Sequence, residues 1–129
     1  FVFPRGLFTE MPDFAIGRAG WDNWMIYHAR ASRFPLIDAT HDLMVIHQSH
    51  DYSHLPGGKS HYDLEETAIN ARLGGGMRNM YMTLDATHEL VNGQVRRARI
   101  NRARLLRALE RPLYPESETG WRWTLTRRI

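Results

Sequence analysis

The sequence predicts an α/β domain, to be classed α+β if the chain stands as an isolated piece, and three observations carry that expectation. Apolar residues recur at helical spacing from Trp21 to about Ser32 and again from Tyr62 or Asp63 to Leu73. Short strand-favouring runs at Pro35 to Ala39, Leu43 to Ile46 and Met80 to Leu84 alternate with them. Asn92-Gly93, between Glu89-Leu90-Val91 and Gln94-Val95, is a strong two-residue hairpin signal, because both turn positions need a positive φ. A length of 129 residues fits one domain, 1–129, with enough apolar content for a core.

Taken in order, the chain opens Phe1-Val2-Phe3-Pro4 with no initiator methionine, which reads as a strand entered partway through and leads us to expect a fragment of a longer chain. Gly17 to Gly20 is a flexible loop. The helix from Trp21 carries Asp22 in its acidic first turn and is stopped by Pro35. Gln48 to His61, polar and centred on Pro56-Gly57-Gly58, is a surface loop. The second helix starts near Asp63, with Glu66 three residues on as an acidic cap. Its expected apolar stripe is Leu64, Ala68, Ile69, Ala71 and Leu73, and Gly74-Gly75-Gly76 ends it. An outline echo between Leu36–Leu43 and Thr83–Leu90 is weighed as two strand ends with similar turn chemistry, making Asp38 and Asp85 turn residues.

Charge is uneven, although the formal net value is only +3. Arg96, Arg97, Arg99, Arg102, Arg104, Arg107 and Arg111 fall in a run relieved only by Glu110. Such a run can follow phosphates of nucleic acid or anionic lipid. The favoured expectation is instead a solvated helix face, with Ile100, Leu105, Leu106 and Leu109 buried opposite, since no aromatic residue interleaves to stack bases. The tail from Pro112, with Trp121 and Trp123 alternating before Leu125, is a final edge strand or an arm that docks on a partner, so a homo-oligomer is among the expected partners.

Cysteine is absent, which rules out disulfides and thiolate metal sites and fits a reducing, cytoplasmic location. No apolar run approaches the roughly eighteen residues of a membrane span. Any metal must therefore use His, Asp or Glu. His47, His50 and His54 with Asp51 supply such groups, and His47 stands where the Leu43–Ile46 strand would deliver its last side chain.

Phe14-Ala15-Ile16-Gly17-Arg18-Ala19-Gly20-Trp21-Asp22-Asn23-Trp24, then Ile37-Asp38-Ala39-Thr40, then Ile46-His47-Gln48-Ser49-His50-Asp51-Tyr52-Ser53-His54, resembles the carboxy-terminal part of glycosyltransferase-like proteins of the GT-A, nucleotide-diphospho-sugar transferase type. The likeness covers residues 1–92 or so, leaving 93–129 as a basic helix and Trp-containing tail. It implies the acceptor-side half of a mixed sheet with flanking helices. It also implies Asp22 as the catalytic base, and Trp21, Asn23, Trp24, His50 and Asp51 as substrate contacts. His47 becomes a ligand to a divalent metal, manganese or magnesium. The implied partners are a nucleotide-sugar donor and a sugar or other hydroxyl acceptor, with nucleic acid unexpected. The chain departs from the pattern in having no Asp-x-Asp and no phosphate loop, so it is expected to be inactive alone. For the tryptophan pair the alternatives are pocket walls around Asp22 or core.

Overall fold

A computed structural model describes residues 1–46, 58 and 64–114. Within them the chain forms a small mixed α/β arrangement of three α-helices and a three-stranded sheet. Helix α1 spans Trp21–Ala31, β1 Ile37–Asp38, α2 Glu65–Leu73, β2 His88–Val91, β3 Gln94–Arg97 and α3 Arg102–Glu110. Single 3₁₀ turns lie at Met77–Asn79, Thr83–Asp85 and Arg111–Leu113.

Helix α1 matches its expected bounds. Gly20 precedes it with φ 104°, a backbone conformation that favours glycine, while a Cβ there would make only ordinary contact with the Asn70 Cβ at 3.4 Å. The helix closes in a Schellman-type turn in which Arg33 takes the left-handed φ of 62° and the Phe34 amide donates to the Ala29 carbonyl at 2.9 Å. Pro35 follows directly. Trp24, Met25, Ile26 and Ala29 face inward, and Phe14 joins Trp24 and Met25 in the central cluster. Phe8, Trp21 and Tyr27 pack around it. The amino end is not a strand: residues 1–4 are irregular, and Phe1 and Phe3 are exposed, touching Trp21 and Phe8 edge-on.

Strands β1 and β2 are parallel, with Ile37 opposite His88 and Asp38 opposite Glu89, while β2 and β3 form the hairpin expected at Asn92-Gly93. Those two turn residues have φ of 52° and 72°, as a two-residue turn of the primed type requires. Thr87 fastens the entry to β1: its hydroxyl accepts from the Leu36 amide at 2.9 Å and donates to the Leu36 carbonyl at 3.1 Å.

Three strand expectations are met only in part or not at all among the described residues. Pro35–Ala39 contracts to two paired residues. Leu43–Ile46 forms no strand and leaves all four side chains exposed. Met80–Leu84 is irregular and runs into the 3₁₀ turn at Thr83–Asp85. An apolar run satisfies its backbone as a strand only where a ladder exists to receive it.

Helix α2 has the expected end, with Gly74 at its carboxyl cap, but not the expected buried face. Leu64 rather than Asp63 precedes it, and Asp63 lies outside the described residues. Ala68 and Leu73 are exposed, and the wholly buried side chain is Asn70. Helix α3 is inverted relative to expectation. Arg107 is 4% exposed, whereas Leu105, Leu106 and Leu109 are 55%, 42% and 62% exposed. The tail beyond Tyr114, including Trp121 and Trp123, lies outside the described residues. No helix among the described residues is long and apolar enough to cross a membrane.

Candidate functional site

The start of α1 is built from behind by one asparagine. The Asn70 amide group donates to the carbonyls of Ala15 at 3.0 Å and Ala19 at 3.1 Å, and its carbonyl oxygen accepts from the Ala15 amide at 2.9 Å. A single side chain from α2 thus pins both ends of the loop that delivers Trp21 and Asp22. Gly74, one turn further along, lies beside Trp24: a Cβ there would make ordinary contact with the Trp24 Cβ at 3.8 Å and a tight one with the Asn70 carbonyl oxygen at 3.2 Å.

On that support the GWDNW residues divide by role. Trp24 is core: its ring stacks on His28 at 4.7 Å between centroids and lies 5.4 Å from Phe14, so of the two readings open for this side chain the structure has the buried one. Trp21 is half-buried and meets Phe1. Asn23 reaches across to donate to the Tyr81 carbonyl at 2.7 Å, tying α1 to the irregular segment that precedes the hairpin. Asp22 is half-buried, accepts from the Asn23 amide at 2.9 Å, and makes no ion pair among the described residues. Its carboxylate is therefore oriented by the helix start and pairs with no cation among the described residues.

Beside Asn23 and Tyr81 lies an open cleft of about 310 Å³ lined by Arg78, Asn79, Tyr81, Arg111 and Pro112. Arg111 sits over the Tyr81 ring at 4.5 Å and pairs with Asp85 at 3.2 Å, and Arg78 donates to the Tyr114 carbonyl at 3.1 Å. The cleft is thus lined by two arginines and an aromatic ring, one of the arginines already paired with a carboxylate.

At the carboxyl end of β1, Asp38 accepts from the Thr40 amide at 3.0 Å and from the Thr40 hydroxyl, the turn role expected of it. Burial raises the affinity of this carboxyl for its proton, but the Thr40 hydrogen bonds with Arg104 and His41 outweigh it and hold the carboxyl below its ordinary value. Asp42 then anchors the chain. Its carboxylate accepts from the Asn92 and Gly93 amides at 2.9 and 2.6 Å, clamping the hairpin turn to the segment that runs on toward His47. Sequence reasoning placed that anchor in a Leu43–Ile46 strand; it lies one residue earlier and is a side-chain clamp.

Asp85 is a turn residue too, accepting from the Met82 amide at 3.0 Å, but it does more than its echo partner Asp38. Buried beneath α3, it pairs with Arg107 at 3.3 Å and with Arg111. Arg107 also donates to the Met80 carbonyl and to Glu110 at 3.2 Å. Burial lowers the hold of Arg107 on its proton; Asp85 and Glu110 overcome this and raise it, so the guanidinium stays charged. Arg104 donates to the carbonyls of Leu84 and Ala86, both at 2.8 Å, and faces Glu89 at 3.5 Å and Asp38 at 3.9 Å. Three carbonyls of this irregular segment, Met80, Leu84 and Ala86, are met by the guanidinium groups of Arg107 and Arg104, which with the carboxylates of Asp85 and Glu89 draws the two arginines inward.

His47, His50, Asp51 and His54 lie outside the described residues, so the metal and loop expectations placed on them have no geometry here. Among the described residues no group of three or more His, Asp or Glu side chains could hold a metal ion. Comparison with protein-family models, curated proteins and solved structures gave no match to the chain.

Proposed function

We propose that the chain is the acceptor-side part of a glycosyltransferase-like protein of the GT-A type, transferring a sugar from a nucleotide-sugar donor to a hydroxyl acceptor. The observation that carries this reading is the start of α1: within the GWDNW segment, Asn23 and Trp24 are locked into the scaffold while Asp22 keeps a carboxylate not bound to any described cation. In this reading Asp22 takes the acceptor hydroxyl proton, which a carboxylate does effectively when bond breaking to the donor runs ahead of proton loss. Trp21 offers an apolar face to the acceptor, with Asn23 and Trp24 now supporting that face from the scaffold and His50 and Asp51 as further contacts. A divalent cation, manganese or magnesium, would neutralise the departing diphosphate; its ligands in this reading are His47 and groups of a donor half.

The rival reading, a polyanion-binding module on the arginine run, keeps Arg96, Arg97, Arg99 and Arg102 on the surface but has three of its seven arginines turned inward. Arg104, Arg107 and Arg111 are committed to internal carboxylates and carbonyls. Calorimetric titration of the 129-residue chain with several nucleotide-sugars, with and without manganese and at low and physiological salt, tests the half-site reading. Weak, salt-sensitive and sugar-indifferent binding is expected. Micromolar, metal-dependent affinity surviving physiological salt would show a complete donor site and overturn it.

A further inference from the structure

The β2–β3 turn carries a reactive dipeptide and a guard on it. Asn92 is followed by Gly93, whose missing side chain leaves its amide nitrogen without steric cover beside the Asn92 carboxamide. In such a pair the glycine nitrogen, once deprotonated, attacks Cγ of the asparagine. The new N–Cγ bond closes a five-membered succinimide, and the side-chain nitrogen leaves as ammonia, taking up a proton from solvent in place of the one the glycine amide gave up. Water then opens the ring at either carbonyl, giving aspartate or isoaspartate. Asn92 and Gly93 are both exposed, and the Asn92 carboxamide makes no hydrogen bond among the described residues, so water and base reach the turn.

We propose that Asn92 is a latent deamidation site held closed by Asp42, and that its conversion to aspartate or isoaspartate unlocks the clamp between the hairpin turn and the segment 38–43. The Asp42 carboxylate accepts from the attacking nitrogen itself, the Gly93 amide, at 2.6 Å, and from the Asn92 amide at 2.9 Å. A charged acceptor strengthens both bonds, and the amide anion needed for attack would form against a like charge. A carboxylate is far too weak a base to take an amide proton, so the contact guards the nitrogen and does not activate it. Ladder pairing of Val91 with Gln94 at the foot of the turn keeps the dipeptide from swivelling away. The guard also sits in a turn of its own, where the Asp42 and Leu43 amides both donate to the Ala39 carbonyl, at 3.0 and 2.9 Å. An aspartate at 92 would bring a second carboxylate to the turn that Asp42 already occupies. Isoaspartate would lengthen the main chain by one carbon and displace the Gly93 amide. Either product loosens a tie that spans fifty residues of sequence. This inference does not rest on the transferase reading.

The test is to incubate the 129-residue chain in warm, mildly alkaline buffer, folded and in concentrated urea, and to follow conversion at residue 92 by peptide mass spectrometry. The folded chain is expected to convert at least about tenfold more slowly than the unfolded one, and Asp42→Ala, shown to be folded by circular dichroism, should recover most of that difference. Asp42→Asn keeps the shape of the guard but not its charge, so its rate should fall between the two, and it carries the test if Asp42→Ala does not fold. In the converted parent, hydrogen exchange of the Asp42 and Leu43 amides should be faster than in fresh protein. Equal conversion of the folded and urea-unfolded chains overturns the proposal. So does a folded Asp42 variant that converts no faster than the parent, or unchanged exchange at Asp42 and Leu43 after conversion.

Discussion

Asn70 shows how much of a site can hang on one buried amide. It is fully buried and spends both donors and its acceptor on the loop from Ala15 to Ala19. Asn70→Ala leaves an amide and two carbonyls to find water and should cost roughly 3 kcal/mol, given about 1–3 kcal/mol for a buried polar group stripped of its partner. Denaturant unfolding measures the loss, and hydrogen exchange at the Ala15 amide should accelerate with it. A cost below about 1 kcal/mol would mean that aromatic packing by Phe8 and Trp21 holds the loop instead. The sequence hid this role in plain sight. The apolar stripe of Ala68, Ile69 and Ala71 gives no sign that the polar residue among them faces inward; the usable signal is Asn70 with the small Gly74 one turn on. Asp42 was equally silent, since its partners at Asn92 and Gly93 stand fifty and more residues away.

At the scale of elements, what was legible was local. Capping glycine, proline stops and the Asn-Gly turn fixed α1, the end of α2 and the β2–β3 hairpin to within a residue or two, because each acts through its own backbone. What could not be read was which face of α3 points inward. The spacing of Leu105, Leu106 and Leu109 gives an amphipathic helix in either orientation, and the choice is made by Asp38, Asp85 and Glu89 together with the Met80, Leu84 and Ala86 carbonyls that Arg107 and Arg104 meet. Those groups converge only after folding. The consequence is a helix held by buried ion pairs, where removing one partner strands the others. Arg107→Met should cost about 3–5 kcal/mol by leaving Asp85 short of a cation beneath α3. Arg102→Ala, on the exposed side, should stay within about 0.5 kcal/mol. Thermal melting of the two variants checks both, and equal effects would show that α3 is held in some other way.

For the molecule as a whole, the sequence conveyed the mixed α/β class but overstated the sheet. Leu43–Ile46 and Met80–Leu84 have strand composition but pair with no strand among the described residues, and parallel pairing in the described sheet is limited to Ile37 and Asp38 against His88 and Glu89. The described core is correspondingly small, centred on Phe14, Trp24 and Met25, while Leu43 to Ile46 and the outer face of α3 remain exposed. Such a body is well suited to work against further protein surface, which the transferase reading supplies as a donor half. The site expectations stand unevenly: Asp22, Trp21, Asn23 and Trp24 have a geometry, and His47, His50 and Asp51 do not. The claim that joins them is that Asp22 is the proton acceptor. In a polypeptide carrying this segment together with a nucleotide-binding half, glycosyl transfer by Asp22→Asn should be measured beside thermal melting. The isosteric amide can occupy the same first-turn position but cannot take a proton, so turnover should fall by about 100-fold or more with the melting temperature unchanged. Turnover within a few-fold of the parent would contradict the account and leave Asp22 a structural residue of the α1 start.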